Sequence, residues 1–271
     1  VTVHARRHIP SSGLHWRPGI IVTAEHTVRR DEEIAIVLPG GRTVPATVAG
    51  RDPGTDLAVL KAEDIDAPAV AAEDTEAPRT GHIVLAVGRG SQGGVTAAMG
   101  IVSATADAWR TWRGGLIDRL VRLDLALYPG LSGAAVVDAQ GRLIGIATGG
   151  LTRTAAVAIP LSTVQRVAAE LLATGRVRRG YLGVGLHPVE LPERRGLIVV
   201  SVEAGGPADR AGILVGDILV ALDGKPVADT DDVQAALGGE SVGRLVRVSM
   251  VRGGQPAETG VTVGERVRGE A

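Results

Sequence analysis

Asp124-Leu-Ala-Leu-Tyr-Pro-Gly-Leu-Ser-Gly-Ala-Ala-Val-Val-Asp138 is a glycine-punctuated loop that runs directly into a short apolar strand. Ser132 stands between Gly130 and Gly133, so the backbone can turn tightly and approach a carbonyl group, as a serine nucleophile with backbone oxyanion donors requires. A lone Gly-x-Ser-Gly is more often only a turn, so the weight falls on what surrounds it. Working outward, short apolar runs recur at Gly19–Thr23, Glu33–Leu38, Thr43–Ala49, Leu57–Lys61, His82–Val87, Gly100–Thr105, Leu120–Leu123, Ala134–Val137 and Leu143–Ala147. Turns such as Pro39-Gly40-Gly41 and Asp138-Ala139-Gln140-Gly141 separate them, and no helical period interrupts them. Many short strands at this spacing predict antiparallel β-barrels.

Composition agrees. The 271 residues suit two ordinary domains, and the apolar fraction of 45% contains two Tyr, three Trp and no Phe. A core of branched aliphatics favours strands. The charge of -1, from 29 basic and 30 acidic residues, recommends neither nucleic acid nor an anionic membrane as a partner. With no cysteine, thiol catalysis, disulfides and thiolate metal sites are excluded. The six histidines form no His-x-x-x-His pair, so neither metal nor cofactor is expected. No apolar run reaches the length of a membrane span. The chain opens at Val1, so a membrane anchor or export signal is expected only upstream of it.

Two further segments bear on Ser132. Gly19-Ile-Ile-Val-Thr-Ala-Glu-His26 places a histidine directly after an apolar strand, and Arg51-Asp-Pro-Gly-Thr-Asp56-Leu-Ala-Val-Leu60 places an aspartate at the mouth of another. The order His26, Asp56, Ser132 is that of the chymotrypsin arrangement, in which the first barrel carries base and orienter and the second the nucleophile.

A helix is predicted from Ser162 to Thr174, capped by Ser162 after Pro160, with an apolar stripe of Val164, Val167, Ala168, Leu171 and Leu172 and a stop at Gly175. Beyond it the pattern changes. Strands are expected at Tyr181–Leu186, Leu197–Val202, Ile218–Leu222 and Leu245–Val251, with helices at Pro207–Ala211 and Asp231–Leu237 and a tail from Gly253 onward that is poorly ordered at its end. The domain reading is 1–173, a linker at 174–180, and 181–271.

Thr23-Ala-Glu-His26-Thr-Val, Gly50-Arg-Asp-Pro-Gly-Thr-Asp56-Leu-Ala-Val-Leu60 and Pro129-Gly-Leu-Ser132-Gly resemble the three catalytic segments of the HtrA/Deg serine proteases. Gly100-Ile-Val-Ser-Ala104, Ala158-Ile-Pro160 and Arg178-Arg-Gly-Tyr-Leu-Gly-Val184 resemble three more landmarks of that family, so the likeness spans nearly the whole chain. It implies an all-β, chymotrypsin-like double six-stranded barrel followed by a smaller α+β PDZ domain. It further implies an ATP-independent endopeptidase acting on unfolded or misfolded protein, extracytoplasmic (bacterial periplasm or cell envelope) and homotrimeric, the trimer using N-terminal aromatics, of which only Trp16 is present. His26, Asp56 and Ser132 would form the triad, with the backbone N–H groups of Gly130 and Ser132 as the oxyanion hole and an acyl-enzyme intermediate.

The family pattern has Asn before the serine and Gly-Pro two and three positions after it; here Leu131, Ala134 and Ala135 stand there. A catalytically degenerate or resting peptide-binding, chaperone-like protein is therefore the alternative reading. The pocket for the residue preceding the cleaved bond is expected near Ala126, Leu127, Ala147, Gly149 and Ala158, and its apolar lining predicts a small or medium aliphatic preference. In the second domain, Tyr181, Leu182, Gly183 and Val184 resemble a carboxylate-binding loop. With Val233 and Leu237 on the helix opposite, they would form a groove for peptide C-termini. Gly88-Arg-Gly-Ser-Gln-Gly-Gly94 lacks a Gly-Lys-Ser/Thr ending and reads as a barrel loop. Trp109 and Trp112 are expected either to cover the barrel or to offer a contact surface.

Overall fold

The computed structural model describes residues 1–6, 9–71, 77–90, 94–192 and 194–265. The chain falls into two compact units, divided between Val177 and Arg178.

The first unit is two closed six-stranded antiparallel barrels. Strands β1 (Thr2–His4), β2 (Ser11–Arg17), β3 (Ile20–Ala24), β4 (Ile34–Val37), β5 (Thr43–Asp52) and β6 (Leu57–Ala62) close in the order β1-β2-β3-β6-β5-β4. In the second half come β7 (Ile83–Arg89), β8 (Val95–Ala106), the hairpin β9 (Trp109–Arg110) and β10 (Leu116–Ile117), then β11 (Leu120–Asp124), β12 (Ala135–Asp138), β13 (Leu143–Thr148) and β14 (Ala156–Pro160). These close as β11-β14-β13-β12-β7-β8, with β9 and β10 paired apart. Closure leaves neither sheet with an edge, which removes the usual route to edge-to-edge association.

Each barrel has its own aliphatic filling: Ile21, Ile36, Val44 and Leu60 in the first, Val84, Val102, Leu131 and Val136 in the second. A third cluster lies between them. Leu57 and Val59 turn away from Ala58 and Leu60 and meet Ile146, Val157 and Ile159 of the second barrel and Val164, Val167 and Leu171 of helix α1 (Leu161–Thr174). This explains why β6 reads as an unbroken apolar run: both of its faces are buried. Trp16 is also in this cluster, only 6% exposed, so it is not available as the exposed N-terminal aromatic of a trimer contact. Trp109 packs against the same core, whereas Trp112 is exposed, with Arg113 stacked 4.5 Å from its ring centre.

Helix α1 begins one residue earlier than predicted. Pro160 occupies the cap position in an extended conformation, and Ser162 makes no capping bond. At the other end Gly175 adopts φ 76° and donates to Leu171 O, the left-handed stop that glycine allows. Part of the Gly88–Gly94 loop, residues 91–93, lies outside the described residues.

The second unit is a sheet ordered β16 (Val184–Glu190), β17 (Arg195–Val202), β18 (Ile218–Leu222), β20 (Leu245–Arg252), β21 (Gln255–Thr262), with β15 (Gly180–Tyr181) paired to β22 (Gly264–Glu265) and β19 (Lys225–Pro226) to β18. Helices α2 (Pro207–Arg210) and α3 (Thr230–Ala236) complete it. The stretch after Gly253 is not simply a tail. Gly253 and Gly254, at φ 56° and 81°, turn the chain into β21, which pairs with β20 along its length, and residues 266–271 lie outside the described residues. Helix α3 starts at Thr230 because Asp229 accepts from Asp232 N and Asp232 in turn accepts from Asp229 N, a reciprocal cap.

Asp217, nearly buried, accepts two bonds from Arg252, Nε to Oδ1 at 2.7 Å and Nη2 to Oδ2 at 2.6 Å, and a third from Leu214 N. The Arg252 guanidinium holds this carboxyl below its usual range, against the upward pull of burial. A depressed folded-state value means that the stabilisation is complete above the unfolded carboxyl's value, about 3.9, and disappears as pH falls through the lower folded value. Asp217→Asn should therefore lower the second unit's stability by about 1.5–3 kcal/mol in urea titrations at pH 7, the range for hydrogen bonds to a charged group. The gap between variant and parent should narrow as pH drops below about 4.

Candidate active site

The three candidate catalytic residues come from three strand ends. His26 lies in the single 3-10 turn Glu25–Thr27 that leaves β3. Asp56 closes the turn between β5 and β6, a turn built by Asp52, whose carboxylate accepts from Gly54 N, Thr55 N and Thr55 Oγ1. Thr111 Oγ1 donates to Gly54 O from the β9–β10 hairpin, and Gly115 lies so close that a Cβ there would sit 2.2 Å from the Gly54 backbone. Asp56 itself is held at φ 56°, a left-handed conformation that aspartate tolerates better than most residues.

The Asp56 carboxylate is 1% exposed and fully engaged. Its Oδ1 accepts from His26 N at 2.8 Å, and His26 Nδ1 lies 3.0 Å from Oδ1 and 2.8 Å from Oδ2. Thr148 Oγ1, at the end of β13, donates to Oδ2, and Gly150 N donates to Thr148 Oγ1 at 2.9 Å. This arrangement keeps the His26 proton on Nδ1 and directs Nε2 toward the cleft. Gly150 roofs the pair: a Cβ there would stand 2.5 Å from Asp56 Oδ2 and 2.6 Å from His26 Nδ1.

Ser132 lines the same cleft as His26. Among the described residues no hydrogen bond joins its hydroxyl to His26. Its loop is held from the first barrel by Ser12, which the sequence reading left outside any strand. Ser12 Oγ donates to Gly130 O at 2.7 Å and Ser12 N to Ser132 O at 3.1 Å, while Ser12 O accepts from Thr23 Oγ1 at 2.7 Å. Gly133, at φ 87°, would bring a Cβ to 2.1 Å from Ser12 O, so only glycine fits there.

Tyr128-Pro129-Gly130-Leu131 is a turn closed by Leu131 N to Tyr128 O at 3.0 Å, with Gly130 at φ 98° after Pro129. Proline followed by a positive-φ glycine defines a type II turn. Among the described residues neither Gly130 N nor Ser132 N has an intramolecular acceptor, which leaves both free for an oxygen in the cleft. The family departures are accommodated. The Leu131 side chain is fully buried in the second barrel's core, and the Ala134 methyl packs where Gly88, lacking a side chain, leaves room.

The cleft measures about 710 Å³ and is lined by Leu125, Leu127 and Gly149, with Arg122, Asp124 and Arg153 also on its wall. Of the expected pocket residues, Leu127 and Gly149 are there. Ala147 and Ala158 are instead buried in the second barrel's core, and Ala126 is exposed but does not line the cleft. The pleat decides this: neighbouring residues on β13 and β14 face opposite ways, and sequence position alone does not say which way is inward. Asp124 was expected near this site, whereas Leu125, Arg122 and Arg153 were missed, and so was the bond from Thr148 to Asp56, whose only signal was a threonine ending an apolar run.

In the second unit, Leu182, Val184, Leu186, Val233 and Leu237 share one apolar cluster beside β16 and α3. Leu182 N and Gly183 N have no acceptor among the described residues, and Gly183 takes φ 77°. Tyr181 pairs through β15 with β22, and its hydroxyl donates to Glu203.

The trypsin-like peptidase domain family matches residues 11–146 and the PDZ domain family residues 180–263. A probable periplasmic serine endoprotease DegP-like of Brucella suis is 35% identical over 90% of this chain and 50% of its own length; one of Ectopseudomonas mendocina is 33% identical over 91% and 54%. An HtrA-type protease AlgW, solved with a decapeptide, superposes with a TM-score of 0.83 at 32% identity, covering 96% of this chain and 83% of its own. The chain belongs to the HtrA-type serine proteases. A serine endoprotease from Yersinia pestis superposes equally well, with a TM-score of 0.83 at 30% identity, over 98% of this chain and 93% of its own. The chain spans about half the length of the DegP-like relatives. Among its described residues no helix is long and apolar enough to cross a membrane, and no three His, Asp or Glu side chains are grouped to hold a metal ion.

Two substitutions probe this geometry. Gly150→Ala should separate His26 from Asp56 and lower kcat/KM about 100-fold, since a shift near 1 Å costs that much. Ser12→Ala should lower kcat about tenfold with KM within about twofold, because the hydroxyl positions the loop and touches no substrate; steady-state kinetics on a short peptide separates the two parameters.

Proposed function

We propose that this chain is a serine endopeptidase in which Ser132 attacks the peptide carbonyl, His26 takes the proton and returns it to the leaving amine, and Asp56 holds the imidazole and stabilises its cation. Gly130 N and Ser132 N stabilise the oxyanion of each tetrahedral intermediate, with an acyl-enzyme between them. The observation that carries this reading is the buried Asp56 carboxylate bonded to both His26 N and Nδ1 in the cleft that holds Ser132. Leu125 and Leu127 supply an apolar stretch of a wall that also carries Arg122, Asp124 and Arg153, and that stretch supports cleavage after small or medium aliphatic residues. Unfolded or misfolded protein as substrate, an extracytoplasmic location and a homotrimeric assembly extend the reading by family likeness. The second unit, with the N–H groups of Leu182 and Gly183 free among the described residues beside an apolar groove, would take a peptide C-terminus.

The second reading is a catalytically degenerate or resting peptide-binding form, in which substrate alone does not bring the Ser132 hydroxyl, unbonded to His26 among the described residues, within reach of its base. Denatured casein, followed over time with the chain and its Ser132→Ala variant, tests both. Cleavage abolished in the variant supports the endopeptidase; equal, negligible cleavage by both supports the resting or degenerate form. A peptide series varying only the residue before the cleaved bond should rank Val, Ala and Leu at least tenfold above Lys and Asp in kcat/KM.

A further inference from the structure

Strand β16 ends the sheet order, so one of its edges is bonded to β17 and the other is free among the described residues. The direction of each peptide group along β16 follows from the strand beside it. Val199 N donates to Asp217 O and Val199 O accepts from Gly216 N, so Val199 faces the β18 side. Backbone direction alternates along a strand, so Ile198 faces β16, where its partner is His187. His187 therefore faces β17, and Pro188, paired with Leu197, directs its backbone to the free edge. At the start of the strand Gly183 O accepts from Glu203 N, which puts Val184, and with it Leu186, on the free edge too. The three outward residues are Val184, Leu186 and Pro188.

We infer that Pro188 ends the groove's backbone ladder, so that the second unit recognises only the last three residues of a peptide C-terminus. The inference rests on the peptide-binding reading proposed above. A carboxylate at Leu182 N and Gly183 N sits at the beginning of β16, so an added peptide runs antiparallel to it. Counted from the terminus, its first residue faces Val184 and its third faces Leu186, and each of these can exchange backbone bonds. The fifth faces Pro188, which has no N–H to give and whose ring stands where the hydrogen would point. The Pro188 carbonyl, which lies 3.2 Å from His187 Nδ1, still has an acceptor site, but the reciprocal pair of bonds that a ladder needs is lost, so longer peptides gain little. Proline in the middle of a sheet strand is tolerated only at such an edge, which is why β16 keeps its pairing with β17 despite it.

The test uses the whole chain carrying Ser132→Ala, so that peptides are not cut, and labelled peptides of three, five and seven residues with the same aliphatic-ended terminal tripeptide extended by Ala and Ser. With Pro188 present, Kd should stay within about twofold across the series. With Pro188→Ala added, the five- and seven-residue peptides should bind about three- to tenfold tighter than the tripeptide, the gain expected from one or two recovered hydrogen bonds. A threefold or larger gain from three to five residues with Pro188 in place would overturn the inference, as would a flat series in the Pro188→Ala chain that still binds the tripeptide. If that variant binds nothing, the series with Pro188 present still decides. Absence of binding at every length would instead remove the peptide-binding reading on which the inference stands.

Discussion

A single buried carboxylate ties the first unit together. Asp56 has almost no access to water, and burying an ionised carboxylate is tolerated only when fixed donors replace its hydration. His26 supplies two of them from the first barrel, and Thr148 supplies a third from the second. The same bonds that satisfy Asp56 therefore fix the imidazole's tautomer and bring the two barrels into register at the cleft. The positive φ of Asp56, the Asp52-centred turn before it and the missing side chains at Gly115 and Gly150 all serve that one placement.

The nucleophile loop is governed by a second constraint, the close approach of backbones. Ser12 reaches across from β2 to hold Gly130 and Ser132, and Gly133 must lack a side chain for this contact to exist. Because Leu131 is turned into the core and Ala134 is matched by Gly88, the loop keeps two N–H groups unengaged among the described residues despite departing from the family's usual residues. Packing volume, not the identity of one residue, decides whether such a loop is competent.

The cluster between the barrels explains why the unit is one body. Leu57 and Val59 cannot be buried by the first barrel alone, since the pleat turns them outward, and helix α1 together with β13 and β14 covers them. In the second unit the corresponding role falls to Leu197, Leu219 and Val248 under helices α2 and α3, with the Asp217–Arg252 pair binding the loop before β18 to the end of β20.

The sequence alone determined that the first part is built of antiparallel β-barrels, the strand runs with a strong aliphatic signal, the helix stopped by Gly175, and the triad candidates, because these follow from local periodicity and from short motifs; the double six-stranded form came from the family resemblance. It did not reveal β2, whose Ser11, Ser12, His15 and Arg17 dilute the apolar pattern, nor β21, whose Gln, Glu, Thr and Gly residues resemble a tail until β20 lies beside them. Only the tertiary structure placed Ala147 and Ala158 in the core, joined Thr148 to Asp56, set Ser12 under the nucleophile loop and turned Pro188 to the free edge. Each of these depends on which way a pleated strand faces and on what another strand, distant in sequence, brings within hydrogen-bond reach, and neither is written in the order of the residues.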